Sequence, residues 1–75
     1  MLVDLEFHHP DAVATDFEVG RDLDALPRVG DEVLWTEVTE VEQSRVYEVT
    51  SVAWSMGSDT TGASVRITCT YRGEG

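Results

Sequence analysis

A chain of 75 residues buries only about 60–65% of the surface it exposes when unfolded, which leaves room for one compact domain (residues 1–75) and little concave volume for a substrate. Fifteen acids stand against five arginines with no lysine, a formal charge of −10 that repels phosphate backbones and anionic headgroups, so neither nucleic acid nor membrane is expected as a direct partner. The one cysteine, Cys69, excludes an internal disulfide and a multi-cysteine zinc site.

The first element follows from period two. Between Leu2 and His8, Val3, Leu5 and Phe7 alternate with Asp4, Glu6 and His8, as an amphipathic strand requires, and Pro10 ends it because proline cannot donate to a ladder. Acids in residues 1–6 replace the basic start of a signal peptide, and no stretch nears the roughly 18 apolar residues of a membrane span. A cytoplasmic protein is the expectation. Residues 11–19 place Val13, Phe17 and Val19 on one parity and read as a second strand, diluted enough by Ala12, Ala14 and Asp16 that a short helix stays open.

Gly20-Arg21-Asp22 has turn composition, and Asp22-Leu23-Asp24-Ala25-Leu26 then suits one helical turn ended by Pro27, with Leu23 and Leu26 pointing inward together. Gly30 tolerates positive φ, Asp31 can bond nearby backbone, and a strand starts at Val33-Leu34-Trp35. Residues 36–44 put Glu37, Glu40 and Glu42 around Val38 and Val41, a spacing of three that breaks the strand period and reads as a long hairpin loop or a twisted strand end. Strand character returns from Arg45 to Trp54. Tyr47 and Val49 lie on one parity and Val52 and Trp54 on the other, so a bulge near Thr50-Ser51 is needed to bring all four inward. Residues 55–63 are nearly free of apolar side chains and read as an exposed loop. The last strand is the cleanest, with Val65, Ile67, Cys69 and Tyr71 facing in, before residues 72–75 fray.

Four to five short strands with turns between them predict a mostly β fold, an antiparallel sheet closing into a small barrel that hides its edges. Leu26-Pro27-Arg28-Val29-Gly30-Asp31-Glu32-Val33, followed by Tyr47-Glu48-Val49-Thr50-Ser51-Val52-Ala53-Trp54, resembles the Pro-x-x-Gly-Asp-x-Val and Tyr-x-Val-x-x-Val patterns of SH3-like small barrels, as found in bacterial and phage proteins. The resemblance covers under half of the chain and implies the fold; it transfers no site. Nucleic-acid-binding barrels of the KOW type are basic, and this acidic chain departs from them.

Candidate chemistry is sparse. His8-His9-Pro10-Asp11 is the most metal-like run, yet neighbouring histidines on a strand point to opposite faces, and an exposed strand end is the simpler reading. No metal and no cofactor are expected. Asp22-x-Asp24 lacks the rest of a calcium loop, and no phosphate loop, hydrolase triad order or zinc-protease signature occurs. Cys69, on the apolar parity, reads as a buried structural thiol. An enzyme is not expected. Trp54 and Tyr71 read as core, whereas Trp35, beside the acidic run, is equally placed for core or contact.

These observations lead to a non-enzymatic binding module, an adaptor or a phage accessory protein. Trp35 would anchor a protein partner, and Glu37, Glu40 and Glu42 would steer that partner's basic surface. The alternative is an inhibitor that imitates nucleic acid, since alternate strand carboxylates such as Asp4 and Glu6 stand about 6.6 Å apart, near the rise of two base steps. An unpaired barrel edge also leaves room for self-association.

Overall fold

The computed structural model describes residues 1–10, 15–38, 40–56 and 64–74. Five strands, β1 (Leu2–His8), β2 (Phe17–Asp22), β3 (Glu32–Val38), β4 (Glu42–Ser55) and β5 (Ser64–Glu74), form one sheet in the order β2-β1-β5-β4-β3. Three neighbouring pairs are antiparallel, but β1 and β5 run parallel from Val3–Val65 to His8–Thr70. The sheet is therefore mixed, which corrects the all-antiparallel expectation. Local patterning sets which face of a strand is apolar and says nothing about its direction relative to a distant strand.

The sheet curls into a half-barrel around Val3, Leu5, Phe7, Tyr47, Val49, Val65, Ile67 and Cys69, all buried. Phe17, Val19, Leu23, Leu26, Val33, Trp35, Val52 and Tyr71 pack against them. Two irregularities in the β4–β5 ladder assist the bend. On β4, Val49 pairs with Cys69 and Ser51 with Thr68, leaving Thr50 as the extra residue that shifts Val52 onto the inner parity opposite Ile67. This is the bulge that the change of parity predicted. On β5, Arg72 is the extra residue, and Gly73 next to it takes a φ of +153° that side-chain-bearing residues rarely adopt.

Trp54 departs from expectation. It pairs with Val65, which is buried, but itself stays 49% exposed. Tyr71 is half-buried, with its ring centroid 5.7 Å from that of Tyr47.

Several connections differ from their sequence reading. Gly20, Arg21 and Asp22 are strand, paired with Asp4, Val3 and Leu2; their turn-like composition yields to the ladder offered by β1. No helix forms among the described residues, and Leu23 and Leu26 reach the core from irregular backbone. Residues 36–44 are mostly paired, with Thr36, Glu37 and Val38 opposite Ser44, Gln43 and Glu42, so a long hairpin loop is replaced by ladder. Arg72 to Glu74 continue β5, with Glu74 opposite Arg45. The predicted strand over 11–19 begins only at Phe17, and residues 11–14, most of the 55–63 loop and Gly75 lie outside the described residues.

The turn before β3 follows the sequence reading. The Asp31 amide donates to the Arg28 carbonyl at 2.9 Å, the Asp31 carboxylate accepts the Arg28 amide at 2.8 Å, and Gly30 between them has φ +96°. A type II turn needs that positive φ at its third residue. Gly30 and Asp31 then exchange backbone hydrogen bonds with Val49, both at 2.8 Å, which launches β3 alongside β4.

Candidate functional site

The register of the β3–β4 hairpin decides which side chains can act together. Residues alternate across a strand, so Val33, Trp35 and Glu37 share the inner face with Tyr47, Arg45 and Gln43, whereas Glu32, Leu34, Thr36 and Val38 share the outer face with Glu48, Val46, Ser44 and Glu42. The four residues singled out in the sequence are thus divided. Trp35 and Glu37 meet on the inner side, Glu42 lies on the outer side, and Glu40 is exposed in the connection.

Trp35 is half-buried against the core, its ring 5.3 Å from Phe7 and 5.5 Å from Phe17 between centroids. The Arg21 guanidinium lies 5.5 Å from its ring centre, within cation–π range. Its indole N–H points to the Glu37 carboxylate at 3.4 Å, which is itself 3.9 Å from Arg45. Phe17 and Trp35 belong to the two edge strands, so this aromatic contact spans the open side of the half-barrel.

The outer side of the hairpin carries what the sequence reading missed. Leu34 is 61% exposed, Val38 75% and Val41 65%, beside the exposed carboxylates of Glu32, Glu40 and Glu42. Leu34 and Val38 face outward on either side of Thr36, and Val41 is exposed in the connection. The signal was available in the sequence: Leu34 and Val38 lie on the parity opposite Val33 and Trp35, so a strand that buries Trp35 must expose them.

At the far end of β1 a second polar group closes the core. His9 was expected at an exposed strand end, but its side chain is only 1% exposed. Its Nε2 lies 2.7 Å from the Tyr47 hydroxyl, while its Nδ1 makes no hydrogen bond and is 3.5 Å from Asp16. Asp16 also accepts the His9 backbone N–H at 2.7 Å and sits 3.2 Å from His8 Nδ1. The His9 amide, with help from His8, holds the Asp16 carboxyl below the usual carboxylate range although some desolvation opposes it. Burial pushes the Tyr47 phenol up, so the hydroxyl keeps its proton and serves as a hydrogen-bonding group.

This His9 cluster is suited to fastening residues 9 and 16 to the core. Burial likewise pushes the Cys69 thiol up to about 11, the reverse of what a nucleophile needs. Among the described residues no group of three or more His, Cys, Asp and Glu is arranged to hold a metal ion, and no helix is long and apolar enough to cross a membrane. On the outer sheet face Glu6 pairs with Arg66 at 3.3 Å and Glu48 with Arg72 at 3.1 Å, so arginines interrupt the carboxylates there.

No protein-family model, curated protein or solved structure matches this chain.

Proposed function

We propose that this half-barrel is an SH3-like, non-enzymatic protein-binding module, cytoplasmic like the reducing compartment that its lone thiol suits, and that it meets a basic partner through the β3–β4 hairpin. One observation carries the reading: Leu34, Val38 and Val41 are mostly exposed within a rim formed by Glu32, Glu40 and Glu42. Three exposed aliphatic side chains on one hairpin of so charged a chain cost solubility unless a partner covers them, although Thr36 separates Leu34 from Val38 on the outer face. The nearby carboxylates favour a partner bearing Lys or Arg. Trp35 and Glu37 form the inner lip of the same hairpin and supply an aromatic anchor with a charge beside it. An adaptor or a phage accessory protein would use such a surface.

Nucleic-acid mimicry is the weaker reading. It requires an unbroken run of carboxylates, whereas the Glu6–Arg66 and Glu48–Arg72 pairs alternate charge on the outer face.

The test places a photoreactive amino acid at position 38, captures the partner in a lysate, and measures the purified partner's affinity. The expected result is binding that weakens with ionic strength and falls by about tenfold or more in Val38→Asp. Affinity indifferent to both would refute the proposed surface. Capture of a nuclease or polymerase that DNA displaces from this protein would replace the module with the mimic.

A further inference from the structure

The proposed partner surface ends at a strand edge guarded by carboxylates alone. Among the described residues β3 pairs only with β4, so alternate amides and carbonyls along it point away from the sheet. Sheets blunt such edges with charged side chains, lysine above all, and with proline, bulges or short strands. The charges on β3 are the carboxylates of Glu32 and Glu37, which repel acidic strands and leave basic ones free to approach. β3 has seven residues with neither lysine nor proline, and its ladder runs without a bulge from Glu32–Glu48 to Val38–Glu42. The other edge, β2, is one residue shorter, carries Gly20, and leaves none of its large apolar side chains exposed. Only one edge combines free backbone with exposed Leu34 and Val38.

Charge selects the occupant. A second copy would bring together two hairpins that each carry Glu32, Glu37, Glu40 and Glu42, on chains of −10 each, and like charges brought face to face oppose that pairing. Resting on the binding role proposed above, we infer that a partner segment of alternating apolar and basic residues adds to β3 as a sixth strand of the sheet. Residues of the added strand that lie beside Leu34 and Val38 are apolar and cover those two side chains. Those on the other parity lie beside Trp35 and Glu37, where an incoming arginine competes with Arg45, 3.9 Å away, for the half-exposed Glu37 carboxylate and with Arg21 for the indole. Backbone hydrogen bonds supply affinity, and this alternation supplies register and selectivity.

The test uses the whole protein and four synthetic peptides. The first alternates valine and arginine, the second alternates valine and glutamate, and the third and fourth are the first peptide N-methylated at all of its valines or at all of its arginines. The expected result is binding of the first peptide with slowed hydrogen exchange at alternate β3 amides, and a loss of about tenfold or more in one methylated version, because strand addition uses alternate amides. Val38→Lys, with its fold checked by circular dichroism, is expected to weaken the first peptide by a similar factor. Equal binding of the first peptide and both methylated ones would overturn strand addition while leaving a side-chain-mediated partner surface intact. No binding of the first peptide would overturn it as well, and capture at position 38 would then decide separately whether the surface still has a partner. Equal binding of the glutamate peptide would overturn the basic occupant.

Discussion

The two ends of the inner aromatic cluster are finished in opposite ways. At the β1 end, His9 and Tyr47 satisfy each other across 2.7 Å within a nest of rings that includes Phe7, Phe17 and Tyr71, and Asp16 ties the following chain back onto the His9 amide. At the β3 edge, Trp35 closes the cluster only halfway, and beyond it lie free backbone, exposed Leu34 and Val38, and carboxylates. The first arrangement converts buried area and paired polar groups into stability. The second leaves similar side chains uncovered, which contributes little to folding and keeps them available. Cohesion is concentrated in β1, β5 and the middle of β4, while β3 carries the surface proposed for a partner.

Substitutions can break that contrast. The largest effect is expected from Phe7→Ala, which empties a fully buried position stacked on Phe17 at 4.7 Å; urea denaturation should show a loss of about 3–5 kcal/mol. A loss under about 1 kcal/mol would show that the cluster is not the folding core. Tyr47→Phe removes only a hydroxyl, yet leaves His9 Nε2 buried without its partner, and is expected to cost about 1–3 kcal/mol in the same assay.

Asp16 sharpens the contrast through pH. Its folded carboxyl titrates below the ordinary aspartate value, so its contribution is present above the unfolded value and lost as pH falls through the folded one. The difference in Tm between the natural chain and Asp16→Asn should be constant near neutrality and shrink in acid below about pH 4; a gap that widens in acid would contradict the assignment. On the alkaline side, the Cys69 thiol is raised to about 11 from 9.0. Stability should therefore fall as pH rises above 9, where the unfolded thiol ionises and the folded one does not. A disulfide reagent at pH 8 should modify Cys69 only on unfolding, as absorbance would report. The smallest effect belongs to the open edge: Val38→Ser should move stability by no more than about 0.5 kcal/mol, although it lies on the surface assigned to the partner.

Much of this was readable in the residues where physics is local. The alternation of Val3, Leu5 and Phe7, and of Val65, Ile67 and Cys69, predicts their burial, and the parity change between Val49 and Val52 locates the bulge at Thr50. The Gly30 turn was legible because both φ and the Asp31 bond are properties of a few neighbouring residues. Elsewhere distance hid the answer. Gly20-Arg21-Asp22 resembles a turn until Leu2–Asp4 offers it a ladder, and the parallel sense of β1 and β5 leaves no mark on either strand. The exposure of Trp54 opposite the buried Val65 leaves no mark on the strand's own pattern, and the His9–Tyr47 bond joins the residue after β1 to a strand that is not its neighbour in the sheet. The candidate site is half legible: the sequence groups Glu37, Glu40 and Glu42, but the placement of Glu37 and Glu42 on opposite faces follows from a register that only the paired strands fix.

The parallel pairing of the first and last strands also sets an order of events in time. β3, β4 and β5 are joined by short-range ladders and can form as a meander, whereas Val3 must find Val65 across most of the chain. Closing that distance is entropically slow. Until it happens, Val65, Ile67 and Cys69 sit on a strand whose second side is bare. During that interval the charge of −10 keeps such incomplete molecules apart, so the acidity that would attract a basic partner to the finished protein also protects the unfinished one from its own kind.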